Sequence, residues 1–86
     1  MVKEIRTTND VRKLVDELGL TVVKGYQVRN GADAYMVEDK VVVDASRRAQ
    51  PFDIVEAVVS CLKEEGYVMV TKKGGKSILI EVWERR

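Results

Sequence analysis

Near the start of the chain, apolar residues recur at helical intervals. One stripe at spacings of three and four residues is formed by Val11, Leu14, Val15 and Leu18. Thr7-Thr8-Asn9 supplies N-cap side chains before this stripe, and Gly19 can take the left-handed conformation that ends a helix. The pattern therefore predicts an amphipathic helix between these two signals. For residues 2–6, an edge strand and an unstructured lead-in both remain open.

From residue 21 the apolar period changes to two, which predicts strands. On the first of them Val22, Tyr26 and Val28 share a face, Lys24 is the exception, and Gly25 marks a bulge or close packing. Turn residues then separate two further apolar runs, at Asn30-Gly31-Ala32-Asp33 and at Glu38-Asp39-Lys40. Three strands joined by short turns predict an antiparallel meander.

Pro51 fits the first turn of a second helix, where its missing N–H has no partner to lose. One broad apolar face of this helix carries Phe52, Val55, Val58, Val59 and Leu62. Cys61 lies at the margin of that face, where a free cysteine behaves as a small apolar residue. Gly66 ends the helix, and a β-hairpin completes the chain.

The register of that hairpin depends on its loop. A three-residue loop, Gly74-Gly75-Lys76, places five aliphatic residues on one face: Val68, Val70, Ile78, Ile80 and Val82. The other face then carries Tyr67, Met69, Thr71, Leu79 and Trp83. A two-residue loop, Gly74-Gly75, would move Tyr67 and Met69 to the isoleucine face. We favour the first register because an all-aliphatic face matches the two helical stripes.

The order of elements is thus α-β-β-β-α-β-β, with the lead-in as an additional N-terminal strand if it pairs. We predict a single α+β domain over residues 1–86, in which two amphipathic helices cover one face of an antiparallel sheet of about five strands. A domain of 86 residues buries roughly 60–65% of its unfolded surface, so its stability is marginal and oligomerisation is one way to supplement it.

Composition narrows the classes of function. Lys and Arg number 15 against 14 Asp and Glu, so the net charge of +1 provides no overall attraction for nucleic acid or membrane. The absence of histidine removes the commonest general base and transition-metal ligand, and we expect no enzyme activity, cofactor or metal. No apolar stretch reaches the ~20 residues that span a bilayer, and the first residues are too charged for a signal peptide, so we expect a cytoplasmic protein. The charged fraction of 34% is thermophile-like.

The face opposite the helices carries the first candidate site. Tyr67, Met69, Leu79 and Trp83 would form an apolar patch that no element is available to cover. Tyr and Trp are favoured anchors of protein interfaces, so the patch predicts a homodimer or a protein partner. The alternative is that the sheet curls, or that the N-terminal segment covers the patch.

Basic residues form the second candidate site. The hairpin tip consists of Lys72, Lys73, Gly74, Gly75 and Lys76, whose ammonium and backbone N–H groups could hold a phosphate. Arg47 and Arg48 precede the second helix and could contact a phosphate backbone. The alternative is a solvated turn whose lysines discourage aggregation, together with solvated or ion-paired arginines.

Over residues 9–65, the order α-β-β-β-α with Ser46-Arg47-Arg48-Ala49 entering the second helix resembles the double-stranded RNA-binding domain. That resemblance implies that the basic start of the helix grips phosphates. The chain departs from the family where Pro51 interrupts the basic start and where Asp53 and Glu56 replace expected lysines. We therefore expect a non-catalytic module that self-associates or docks a protein partner, with nucleic-acid binding as the alternative.

Overall fold

The computed structural model describes residues 2–83 and confirms the α+β class. Its elements run in the order β1 (Val2–Ile5), α1 (Thr8–Glu17), β2 (Thr21–Gln27), β3 (Ala32–Val37), β4 (Lys40–Ala45), α2 (Pro51–Glu64), β5 (Val68–Gly74) and β6 (Ser77–Val82). Both predicted helices are present. The lead-in is a strand, β1, that pairs antiparallel with β6.

The strands form two three-stranded sheets, so the prediction of one sheet of about five strands is wrong. One sheet has the order β1-β6-β5 and is antiparallel throughout; the other has the order β2-β4-β3. In the second sheet β4 lies in the centre, antiparallel to β3 and parallel to β2, which excludes the predicted meander. Val41, Val42 and Val43 place apolar side chains on both faces of β4. A strand of this kind is typical of the centre of a sheet, where a neighbouring strand lies on each side of it.

The final hairpin has a different loop from the predicted one, but its aliphatic face is the predicted one. Its turn is Gly75-Lys76, because Gly74 pairs with Ser77. A bulge at Thr71 then shifts β5 by one residue, so that Val70 pairs with Ile80 and Val68 with Val82. The Thr71 hydroxyl donates to the carbonyl oxygen of Leu79 at 3.1 Å. The bulge thus restores the aliphatic face, which the observed two-residue turn would have disrupted without it.

A single core joins both helices to the inner faces of both sheets. The buried residues are Ile5, Val11, Leu14, Val15, Leu20, Val41, Val43, Val55, Val58, Val59, Cys61, Leu62, Val68, Ile78 and Ile80. Helix α2 packs on β3, β4 and β5, whereas α1 packs on β2 and α2. At the edges of the β1-β6-β5 sheet, two lysines of the inner face form ion pairs with the helices, Lys3 with Glu17 and Lys73 with Glu56.

Gly25 marks a real irregularity in β2. The register between β2 and β4 shifts between Lys24 and Gln27, and the Asp44 carboxylate of β4 crosses to accept a hydrogen bond from the Tyr26 N–H at 2.7 Å. A Cβ at position 25 would overlap Asp44 Oδ1 and lie 2.8 Å from Val42 Cγ1. Position 25 therefore requires glycine, because the Asp44 side chain of β4 occupies the space that a side chain at position 25 would need.

Helix α1 begins with a reciprocal cap. The Asp10 N–H donates to Thr7 Oγ1 at 3.1 Å, and the backbone N–H groups of Arg6 and Thr7 donate to Asp10 Oδ2, each at 3.0 Å. These hydrogen bonds, that from Arg6 first, lower the pKa of Asp10 below its ordinary value of 3.8. The cap therefore depends on an ionised carboxylate.

Because the folded state lowers this pKa, the stability that Asp10 contributes is complete above pH 3.8 and is lost as the pH falls through the folded value. We expect Asp10→Asn to lower the free energy of unfolding near neutral pH, and the deficit to shrink below pH 3.8. Urea unfolding of the wild type and the variant across this pH range measures the deficit. Thr7→Ala is the control: it should cost about 1 kcal/mol with a much weaker dependence on pH, since it keeps both backbone hydrogen bonds to the Asp10 carboxylate and a hydroxyl does not titrate there. A deficit of Asp10→Asn that stays constant into acid would contradict this account.

Candidate functional site

The outer face of the β1-β6-β5 sheet is an ordered grid of apolar and charged side chains. Residues paired across strands share a face, and the pairs Ile5–Ile78 and Val68–Val82 point inward. Two outward rows alternate with these pairs. They are Glu4-Leu79-Lys72 and Val2-Glu81-Met69, each written from β1 through β6 to β5. We call these six residues, with Trp83 directly after β6, the outer face.

Three of the four predicted interface residues lie on the outer face. Trp83 is 47% exposed, Met69 is 38% exposed and Leu79 is half-buried. Tyr67, in contrast, is partly buried and packs against the core. Its carbonyl oxygen accepts a hydrogen bond from the Trp83 N–H at 2.8 Å, which extends the β5-β6 ladder by one pair. The indole is therefore held at the end of a strand with about half of its surface in solvent.

Sequence reasoning missed Val2, Glu4 and Glu81 as members of this face. Val2 is 63% exposed, the largest exposed fraction among the outer face's apolar residues. Val2 and Glu4 could not be assigned because residues 2–6 gave no pairing partner from local pattern alone, whereas alternation along β6 already places Glu81 on the same face as Leu79. Once β1 pairs with β6, the three side chains take fixed places beside Leu79 and Met69.

The predicted basic residues do not act as one group. Lys73 lies on the inner face, where it pairs with Glu56 of α2. Lys72 belongs to the outer face, and Lys76 is exposed in the turn beside Gly75. Gly74 and Gly75 are exposed, and only Gly75 has a positive φ, +57°. The tip therefore divides its lysines between two faces of the sheet.

Arg47 and Arg48 are both exposed in the loop before α2, but only Arg47 lines a concave surface. This is a groove of ≈ 470 Å³ between α1, β2, β4 and α2, which we call the basic groove. Its aliphatic walls are Val11, Val22, Val43, Ile54 and Val58. Its charged residues are Arg12, Lys24 and Arg47, and none of the described residues that line it is acidic.

The basic groove follows from the corrected topology. Because β2 and β4 are parallel, their carboxyl ends meet at one edge of the sheet, and the loop from β4 to α2 passes there. Lys24 pairs with Val43, so it lies on the inner face, where the alternation of β2 would place an apolar residue. That break in the pattern was the one sequence signal of the groove.

Cys61 is buried in the core rather than at its margin, and it packs there as a small apolar residue. Burial raises the pKa of its thiol above the ordinary value, and the nearby carboxylates of Glu65 and Glu64 raise it further. The thiol is therefore protonated at neutral pH, a state unsuited to nucleophilic attack. Within residues 2–83, no cluster of three or more Cys, Asp or Glu side chains is arranged to hold a metal ion.

Comparisons with known proteins assign no family. No family model matches the chain, and neither the curated proteins nor the solved structures include a significant match, whether for the double-stranded RNA-binding domain or for any other class. None of the helices in the described part of the chain is long and apolar enough to cross a membrane.

Proposed function

We propose that this protein is a non-catalytic module that forms a homodimer through the outer face. The observation that carries the proposal is the row Glu4-Leu79-Lys72, in which an apolar centre on β6 is flanked by opposite charges on the two edge strands. Glu4 also forms an exposed ion pair with Arg6 at 3.4 Å, and its carboxylate would be shared with Lys72 of the second copy. A surface with opposite charges on its two sides is complementary to its own copy under a suitable two-fold rotation. A second copy is therefore the partner that this face fits.

The rotation that achieves this complementarity has its axis parallel to β6. It places β1 of one copy over β5 of the other, so that Glu4 faces Lys72 on both sides of the axis. Val2 then faces Met69, again twice. Leu79 and Trp83 lie on the axis and meet their own copies, which gives the interface an apolar centre. Packing of two sheets face to face, with strands within about 30° of each other, is common in proteins.

Two features make the dimer weak. Three strands spaced ~4.8 Å apart and ~20 Å long present a footprint of only ~300 Å² per copy, below the usual range for stable interfaces. Glu81 also lies on the axis between Leu79 and Trp83, where it meets the same carboxylate of the partner. We therefore expect a dissociation constant in the micromolar to millimolar range, which suits reversible association.

Sedimentation velocity and light scattering from about 10 µM to about 1 mM test the proposal. The weight-average mass should rise with concentration towards twice the monomer mass. Trp83→Ala should weaken association by about 2 kcal/mol, or ~30-fold in dissociation constant, because it removes the largest apolar side chain at the interface.

Val37→Ala is the matched control, because Val37 is 49% exposed on the other sheet and should leave association unchanged. A constant monomer mass at the highest concentration would end the proposal. Adding mixed nucleic acid at low salt tests the alternative in the same experiment. Co-migration that Lys76→Glu abolishes, and that Trp83→Ala leaves intact, would favour nucleic-acid binding instead.

A further inference from the structure

The basic groove points to a second binding site, separate from the outer face. We propose that it binds a small amphipathic anion, an unbranched aliphatic chain ending in a carboxylate. The proposal rests on three properties of the groove: its volume, its aliphatic walls, and three cations that form no ion pair with a described carboxylate.

The groove's size and walls determine the body of the ligand. A volume of ≈ 470 Å³ is within the range of pockets that hold small molecules. Valine and isoleucine side chains from four elements form its walls, and Tyr26, the one aromatic residue among the described residues that line it, is 81% exposed. A nucleobase or an aromatic ring would be expected to stack on buried aromatic side chains. An alkyl chain needs only apolar surface, which these walls supply.

The groove's charges determine the head group. Arg12 comes from α1, Lys24 from β2 and Arg47 from the loop before α2. Within residues 2–83 the ion pairs are Lys3–Glu17, Arg6–Glu4 and Lys73–Glu56, so none of the groove's three cations is paired with a described carboxylate. Unpaired cations beside apolar walls favour an anion whose body is apolar.

Local backbone structure holds Lys24 in position. The bulge after Lys24 is fixed by the Asp44–Tyr26 hydrogen bond, and bulges commonly re-aim side chains next to binding sites. Without the bulge, Tyr26 would share the inward orientation of Lys24 and Val22, since alternate residues of a regular strand point to one face.

The test titrates ¹⁵N-labelled protein with decanoate below its micelle threshold and follows the amide resonances. Decanoate should shift Val22, Val43 and Val58 and leave Leu79 and Met69 unshifted. Decanol, the uncharged control of equal length, should bind about tenfold more weakly because it lacks the charge. Decyltrimethylammonium should not bind, and adenosine monophosphate should bind more weakly than decanoate.

Variants separate the head group from the body. Arg12→Gln, Lys24→Gln and Arg47→Gln should each weaken decanoate binding about threefold to tenfold, with decanol changed less than twofold. Arg48→Gln removes the same charge from a residue that lies next to Arg47 but outside the groove. It should change neither the affinity for decanoate nor that for decanol. Equal affinity for decanoate and decanol, tighter binding of the nucleotide or the cation, or an equal loss in Arg48→Gln would overturn the proposal. No binding, or shifts confined to the outer face, would overturn it as well, whatever the mass measurements show of the dimer.

Discussion

Two charge-reversed variants, Lys72→Glu and Glu4→Lys, are expected to form a mixed dimer although neither associates with itself. In the proposed dimer Glu4 of each copy faces Lys72 of the other, so either variant alone places like charges opposite each other at two sites. Replacing a weak attraction by a similar repulsion costs ~1–2 kcal/mol per site, or ~2–4 kcal/mol in all, which is on the order of a hundredfold in dissociation constant.

Mixing the two variants restores an attraction at both sites. At one site the unchanged Glu4 of the first variant faces the unchanged Lys72 of the second, and at the other the introduced glutamate faces the introduced lysine. Sedimentation of the variants alone and in equimolar mixture measures this directly. The mixture should recover the wild-type mass, and added salt should reduce the recovery. If the variants associate as the wild type does, or the mixture recovers nothing, the two-fold arrangement is wrong.

Glu81 provides an internal check on the symmetry axis. Because two Glu81 carboxylates meet on the axis, Glu81→Gln should tighten the homodimer. A hetero-partner with a basic surface would instead lose affinity on the same change. The direction of this effect therefore distinguishes self-association from docking of a different protein.

Gly25→Ala is expected to destabilise the fold by about 3 kcal/mol. The added methyl group overlaps Asp44 Oδ1 and crowds Val42, and overpacking of this kind commonly costs ~1–3 kcal/mol. Displacing the carboxylate also removes its hydrogen bond to the Tyr26 N–H, which is worth about 1 kcal/mol. Urea unfolding monitored by circular dichroism measures the loss.

Gly74→Ala is the matched control, because no atom of residues 2–83 lies within 4 Å of a Cβ placed there. Its effect should stay within about 0.5 kcal/mol. In an Asp44→Ala background the cost of Gly25→Ala should fall, since the overlapping atom is gone and only Val42 remains close. Equal costs in both backgrounds would show that the carboxylate does not determine the glycine requirement.

The local sequence pattern was sufficient to predict where the helices and strands lie, but it did not predict which strands pair with each other. The stripes of α1 and α2, the N-cap of α1 at Thr7, the proline in the first turn of α2 and the aliphatic face of the last hairpin were all predictable, because each depends on residues close in sequence. The order β2-β4-β3 was not, because a short turn favours pairing of consecutive strands but does not require it. The predicted loop of the last hairpin failed for a related reason: a bulge at Thr71 can absorb one residue without changing which residues are buried.

The two candidate sites were predictable to different degrees. Leu79, Met69 and Trp83 were identified on an uncovered face because alternation along β5 and β6 separates them from the buried isoleucines. The two members of that face on β1, Val2 and Glu4, needed the pairing of β1 with β6. The basic groove was not predicted at all, since Arg12, Lys24 and Arg47 come from three distant segments. Only the irregular position of Lys24 hinted at it.

By itself, the sequence determined an α+β domain with two one-sided helices, a Gly25 irregularity and an apolar patch around Trp83, because periodicity and turn residues act over a few positions. The tertiary structure decided that β4 lies between β2 and β3, that β1 completes the charged rows of the outer face, and that three cations surround one aliphatic groove. These outcomes depend on which segments bury each other's surfaces. That choice is set by the free energy of the whole core, and no local stretch encodes it.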